Sequence, residues 1–160
     1  MKAGVTGHQE LGEHKTVQWI RSKIEEAIDR QQVAMGFTSL AIGADQLFAD
    51  VLCERHVPFT AVIPSEKYVH TFGENDRARY YALLTKAELV VTLSYSQPSE
   101  AAYMEAGRTV VDAVDLLIAI WNGKPARGLG GTADVVSYAL NLSKRVLHIN
   151  PDSRSVSEIL

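Results

Sequence analysis

Six short apolar blocks, separated by longer stretches of helical periodicity, constrain this chain more than any other feature. They are KAGVTG (2–7), TSLAIG (38–43), FTAVIP (59–64), ELVVTLS (88–94), DLLIAIW (115–121) and RVLHIN (145–150). Most are continuous rather than alternating, the pattern of strands covered on both faces. Between the first two, Val17, Ile20, Ile24, Ala27 and Ile28 fall on one stripe, opposite Arg21, Lys23, Glu25 and Glu26, which predicts an amphipathic helix. Further helices are predicted over 44–56, 74–86, 99–113 and 132–143. Strand and helix in repeated alternation give a single doubly wound, mostly parallel α/β sheet with helices on both faces, a Rossmann-like arrangement with right-handed crossovers. Periodicity leaves the strand order open.

The 160 residues suit one domain, 1–160, with a single substantial core, and no repeat or linker divides them. A net charge of -3 gives no electrostatic case for a nucleic-acid polymer or an anionic membrane as partner, so any bound anion should be small and held locally. The opening MKAGVTGHQELGEH has no apolar signal region, and no window approaches the length of a membrane span; a cytoplasmic protein is expected. The lone cysteine, Cys53 in FADVLCERH, reads as a small hydrophobe and fits a reducing compartment. His8, His14, His56, His70 and His148 are scattered without H-E-x-x-H or a Cys/His cluster, so neither a metal site nor a cofactor is expected. A nucleophile elbow and an RNA-binding aromatic set are likewise missing from the sequence.

In a sheet of this class, ligands sit beyond the carboxyl ends of the strands, near the reversal of strand order. The unusual residues gather there. After the first strand, Gly7 permits a sharp turn and Thr6 and His8 supply donors; after the second come Gly43, Ala44 and Asp45. Asp45 reads equally as a helix N-cap and as a pocket carboxylate, and Gly43 permits close backbone approach. Ser65, Glu66 and Tyr95 follow the third and fourth strands in ordinary loop contexts. The fifth turn, GKPARGLGGTADVV (123–136), carries four glycines and leads into a helix near Thr132. Bare amides, the helix dipole and the Thr132 hydroxyl together predict a seat for a phosphate or another oxyanion. The turn is neither a Walker A sequence nor G-x-G-x-x-G, which argues against an ATPase and an ordinary dehydrogenase. Glu105 and Arg108, three apart on a helix, read as an exposed pair, or else Tyr103 or Arg108 leans over the pocket to hold a base or a phosphate. Asp134, in the first turn of the last helix, is favoured by the dipole and would also stand near a sugar attached to that phosphate.

Taken together, GVTGH (4–8), LAIGADQLFAD (40–50), DLLIAIWNGKPARGLGGTADVVSYA (115–139) and VLHINP (146–151) resemble the SLOG superfamily. This is the Rossmann-like nucleotide-binding group that includes the Lonely Guy phosphoribohydrolases and the DNA-processing protein A family. The resemblance spans nearly the whole chain. It implies a nucleotide-derived ligand at the carboxyl edge of the sheet, with phosphate on Gly130, Gly131 and Thr132 and with Gly7 and Gly43 in the pocket floor. Ribose would lie near Asp45 or Asp134, and the base against Tyr95, Tyr103 or Trp121. Against the Lonely Guy pattern P-G-G-x-G-T-x-E-E, Asp134 takes the first acidic position and Val135 the second, with Arg108 as the arginine of the preceding helix. Two activities follow as expectations. One is a sensor or binding module for a nucleotide such as an ADP-ribose or NAD-derived one. The other is N-glycosidic hydrolysis or transfer on a nucleoside monophosphate, carried by Asp134, Glu105 and Arg108. Relatives of this kind are commonly homo-oligomers.

Overall fold

Strand β1 (Lys2–Gly7) lies at the middle of the sheet in the computed structural model, which describes residues 1–126 and 128–159. In chain order the elements that follow are α1 (His14–Arg30), β2 (Met35–Thr38), α2 (Ala44–Glu54), β3 (Phe59–Ser65), a 3-10 turn at Tyr68–Thr71, α3 (Glu74–Leu84) and β4 (Leu89–Tyr95). Then come α4 (Glu100–Ala113), β5 (Leu116–Ile120), α5 (Thr132–Asn141), β6 (Arg145–Asn150) and β7 (Ser155–Ile159). The sheet runs β4-β3-β2-β1-β5-β6-β7. Every neighbouring pair is parallel except β6 with β7. The chain therefore builds outward from β1 to β4, then returns to the other side of β1 with β5. Strand order reverses between β1 and β5, where crossovers leave on opposite faces and a crevice opens.

The continuous apolar blocks follow from this layering. All five residues of β5 are buried, but alternate ones face opposite ways. Leu116, Ile118 and Ile120 pack with Ile20, Ile24, Phe48 and Leu52 of α1 and α2. Leu117 and Ala119 pack with Val111, Val135 and Val136 of α4 and α5. Each such Leu or Ile, fully withdrawn from water, contributes about 1.5–3 kcal/mol before entropy is counted. The stripe predicted for the first helix is the one α1 buries: Ile20, Ile24, Ala27 and Ile28.

Two elements differ from expectation. The block at 38–43 is not the second strand; the pairing residues are Met35–Thr38, and the apolar residues after them form a buried turn. Leu40 has φ +56° and is fully buried, while Ser39 and Ala41 direct their N–H groups to the Asp45 carboxylate. An apolar turn wrapped around a carboxylate has the composition of a strand without its geometry. Second, the residues after Pro151, for which the apolar pattern predicts no element, form β7. Asn150 Oδ1 accepts the N–H groups of Asp152 (3.0 Å) and Ser153 (3.2 Å), a side-chain turn that reverses the chain onto β6.

Candidate functional site

A cleft of about 1310 Å³ opens beyond the carboxyl ends of the central strands, at the β1/β5 crossover point. Its floor is built where three turns meet at His8. The His8 N–H donates to the Ile120 carbonyl (3.1 Å), and its own carbonyl accepts from the Ala44 N–H (3.1 Å). The ring completes the junction: Nε2 accepts the Asn122 N–H at 3.1 Å. Gly7 and Gly43 make this junction sterically possible. A Cβ on Gly7 would lie 2.5 Å from Ala44 Cβ, and one on Gly43, at φ +87°, would lie 2.3 Å from the Gln9 carbonyl oxygen. Gly7 lines the cleft; Gly43 and Ala44 lie just beneath its lining, clamped to the β1–α1 turn.

Asp45 closes the floor on the α2 side, only 7% exposed. Its carboxylate accepts from Ser39 N–H (2.9 Å) and the Thr38 hydroxyl (3.2 Å). Burial pushes its pKa up to about 6, against the opposing pull of the Ser39, Thr38 and Ala41 donors. Beside it stands an aromatic wall of which sequence reading named Tyr103 but not Tyr68 or Phe72. Tyr68 packs edge-on against Phe72 (5.0 Å) and Tyr103 (6.3 Å), and desolvation, then the charge of Asp45, raises its phenol well above the ordinary value. Tyr68 opens the 3-10 turn and Phe72 follows it, a segment too short to give a periodic signal. Trp121 lines the opposite end, its indole N–H donating to the Lys124 carbonyl (2.8 Å) and its ring tilted on His148 at 5.0 Å. Tyr95, Ser65 and Glu66 lie outside the cleft lining.

The glycine turn is used differently from the expectation. Gly130, at φ +86°, rests on α4, where a Cβ would come 2.8 Å from the Met104 nitrogen and 3.1 Å from Tyr103 Cβ. Its N–H is engaged by the Asp134 carboxylate at 3.2 Å, and the Gly131 N–H by the Gly128 carbonyl at 3.4 Å. The N–H groups of Thr132 and Ala133 have no partner among the described residues, as the first turn of a helix dictates, and both residues line the cleft. The glycines thus fold the loop onto α4, and the open donors stand one to two residues later.

Glu105 and Arg108 pair at 3.8 Å on the exposed side of α4, each nearly half exposed. Arg108 lies 5.5 Å over the Tyr138 ring, whose hydroxyl donates to Asp112 (2.9 Å). Neither Glu105, Arg108 nor Asp134 lines the cleft. Carboxylates that do, besides Asp45, are Glu10, Glu13, Glu100 and Asp152, and Lys124 is the single Lys or Arg of the lining among the described residues. The carboxylates are not all remote from α5: Glu100 lies against Gly128 in the loop that leads into that helix, where a Cβ would come 2.5 Å from its carboxylate oxygen. Among the described residues no cluster of His, Cys, Asp and Glu has the form of a metal site, and no helix is long and apolar enough to cross a membrane.

A doubly wound, mostly parallel sheet with its cleft at the strand-order reversal defines a Rossmann-like α/β protein. Solved structures narrow the fold further. DNA processing protein A of Streptococcus pneumoniae superposes with a TM-score of 0.68 at 16% identity, over 92% of this chain and 49% of that one. The same protein from Helicobacter pylori, which binds single-stranded DNA, also gives 0.68, at 13% identity over 92% and 64%. The molybdenum cofactor binding protein of the phototrophic bacterium Rippkaea orientalis gives 0.58, at 16% identity over 93% and 76%. The fold is the Rossmann-like one of these DNA processing protein A structures, in keeping with the resemblance read from the sequence. This chain spans about half the length of the first of these proteins and under two thirds of the second. No protein-family model and no curated protein matches the sequence.

Proposed function

We propose that this chain binds a single nucleotide or nucleotide-derived molecule in the cleft, as a sensor or binding module, with an ADP-ribose- or NAD-related ligand as the leading class. The observation that carries the reading is the mouth of α5, where the Thr132 and Ala133 amides face a cleft that also carries Lys124. Phosphate belongs at that end, where the dipole and open N–H groups favour an anion. The carboxylates of Glu10, Glu13 and Asp152 in the lining suit the rest of such a ligand, because ribose hydroxyls and exocyclic amines donate hydrogen bonds that carboxylates accept. The volume exceeds the roughly 300–1,000 Å³ of an ordinary small-molecule pocket, room for more than one sugar or base. Single-stranded DNA, the ligand of the Helicobacter protein, suits this cleft less well, since repeated phosphates would pass Glu10, Glu13, Glu100 and Asp152.

Thr132→Pro tests the reading. Proline is well tolerated at the first position of a helix, and Gly131 before it is already extended (φ -69°, ψ 170°), so the variant keeps the fold while losing one open N–H and the hydroxyl. Wild type and variant are melted with nucleoside monophosphates, NAD, ADP-ribose and a short oligonucleotide, and the mixtures are assayed for free base. Stabilisation of wild type by a nucleotide, absent in Thr132→Pro and without release of base, is expected. Equal stabilisation of both proteins, or none of either, overturns the proposal. Release of free base would assign N-glycosidic cleavage instead.

A further inference from the structure

Three aromatic rings hold Tyr68 in place, and none of them uses its hydroxyl. Phe72, Tyr80 and Tyr103 meet it edge-on at 5.0, 5.8 and 6.3 Å, and only 4% of the residue is exposed. Its carbonyl accepts the Thr71 hydroxyl (2.7 Å), but among the described residues no group bonds its phenol oxygen. A buried hydroxyl without a partner costs stability, and phenylalanine would fill the same space without that cost. Tyr68 lines the cleft beside Asp45, whose charge acts on the phenol. The hydroxyl is a donor left over for whatever the cleft holds.

Asp45 supplies the complementary half. A carboxylate has about four lone-pair positions. Three protein donors reach this one: the Thr38 hydroxyl and the Ser39 N–H, both on Oδ2, and the Ala41 N–H. One acceptor position remains, next to one free donor. We infer that the Tyr68 end of the cleft is the base subsite of the nucleotide proposed above, and that it takes adenine. The amino group donates to Asp45 and the neighbouring ring nitrogen accepts from Tyr68. This assignment rests on the nucleotide reading of the cleft. Guanine fits less well, because it sets two N–H donors side by side and suits a carboxylate with both oxygens open, whereas Oδ2 of Asp45 is already bonded twice. At the other end of the cleft the polar atom of Trp121 is spent on the Lys124 carbonyl. Tyr103 sets the order of the ligand. A Cβ on Gly130 would come 3.1 Å from Tyr103 Cβ, and the Tyr103 ring lies 6.3 Å from that of Tyr68. Between phosphate at Thr132 and base at Tyr68, the sugar crosses Tyr103.

Calorimetric titration at pH 8, where Asp45 with its pKa of about 6 is ionised, tests the assignment. The probes are AMP, purine riboside 5′-monophosphate, which lacks the amino group, and the inosine and guanosine monophosphates. Wild type is expected to bind AMP about tenfold or more tightly than each of the others, the worth of a hydrogen bond to a charged group. Tyr68→Phe is expected to melt no lower than wild type without ligand. It should bind AMP and purine riboside monophosphate about 3- to 10-fold more weakly, by one common factor, because both keep the ring nitrogen. A lower unliganded melting temperature overturns the inference, since the hydroxyl would then serve the fold. So does unchanged affinity in Tyr68→Phe, or a wild type that binds any of the others as tightly as AMP. With binding lost in Thr132→Pro, those results still leave the nucleotide reading standing. Binding of none of the four, or binding indifferent to Thr132→Pro, overturns that reading and the adenine subsite with it.

Discussion

The Asp134 carboxylate accepts the Gly130 N–H at 3.2 Å, so the acid that follows the glycine turn holds that turn in shape. Replacing it with alanine leaves the amide unpaired and is expected to cost about 1 kcal/mol in stability. Faster amide hydrogen exchange at Gly130, with the rest of α5 unchanged, is the measurement. Unaltered exchange there would show that the contact contributes nothing.

Two glycines of positive φ separate backbone strain from crowding. Gly43 and Gly123 have φ of +87° and +82°, but a Cβ on Gly43 would strike the Gln9 carbonyl at 2.3 Å while one on Gly123 meets nothing closer than 3.9 Å. Gly123→Ala should cost about 1–2 kcal/mol, the left-handed penalty alone. Gly43→Ala should cost about 3 kcal/mol or more, because the β1–α1 turn must also be pushed aside. Urea denaturation of the two variants checks the ranking.

Asp45 makes stability depend on acid in an unusual direction. Its folded pKa, about 6, lies above the ordinary 3.8, so between these values the folded chain binds more protons than the unfolded one. This contribution is fully present below the ordinary value and is lost as pH rises through about 6. The stability of wild type relative to Asp45→Asn should therefore be greatest near pH 4 and decline toward pH 6.5. A carboxyl resonance of Asp45 titrating near 4 in nuclear magnetic resonance would contradict it.

Arg108→Ala and Glu105→Ala should each change stability by less than about 1 kcal/mol, as expected of an exposed pair at 3.8 Å. Neither should alter the nucleotide-induced shift in melting temperature, because neither residue lines the cleft. A loss of that shift in Arg108→Ala would restore the arginine to the binding site.

The fold class was legible because β5 shows its burial in composition alone, and because the α1 stripe has the helical period. Strand order was not, since no local pattern records which strands are neighbours. The block at 38–43 misled for a physical reason: Leu40 is as buried as a strand residue, yet the turn it belongs to exists to surround Asp45. For the site, the rule that unusual residues follow strands located Gly7, His8, Asp45, Trp121 and Thr132 around one cleft. It gave no direction for side chains on helices. Glu105 and Arg108 lie two and five residues after Tyr103, off the side of α4 that Tyr103, Ala106 and Gly107 turn to the cleft, and Tyr68 entered from a turn with no recognisable period. The Asn150-Pro151-Asp152 turn was the available sign of β7.

The bond from Asn122 to His8 joins positions 114 residues apart in the chain. Nothing resembling the cleft floor exists until the first and fifth strands have docked side by side, so the pocket is a property of the finished domain and not of any fragment. A small molecule seated there would recognise only completely folded chains and would raise the unfolding free energy in proportion to the logarithm of its concentration. Occupancy and integrity of the domain become one equilibrium, read by one melting curve.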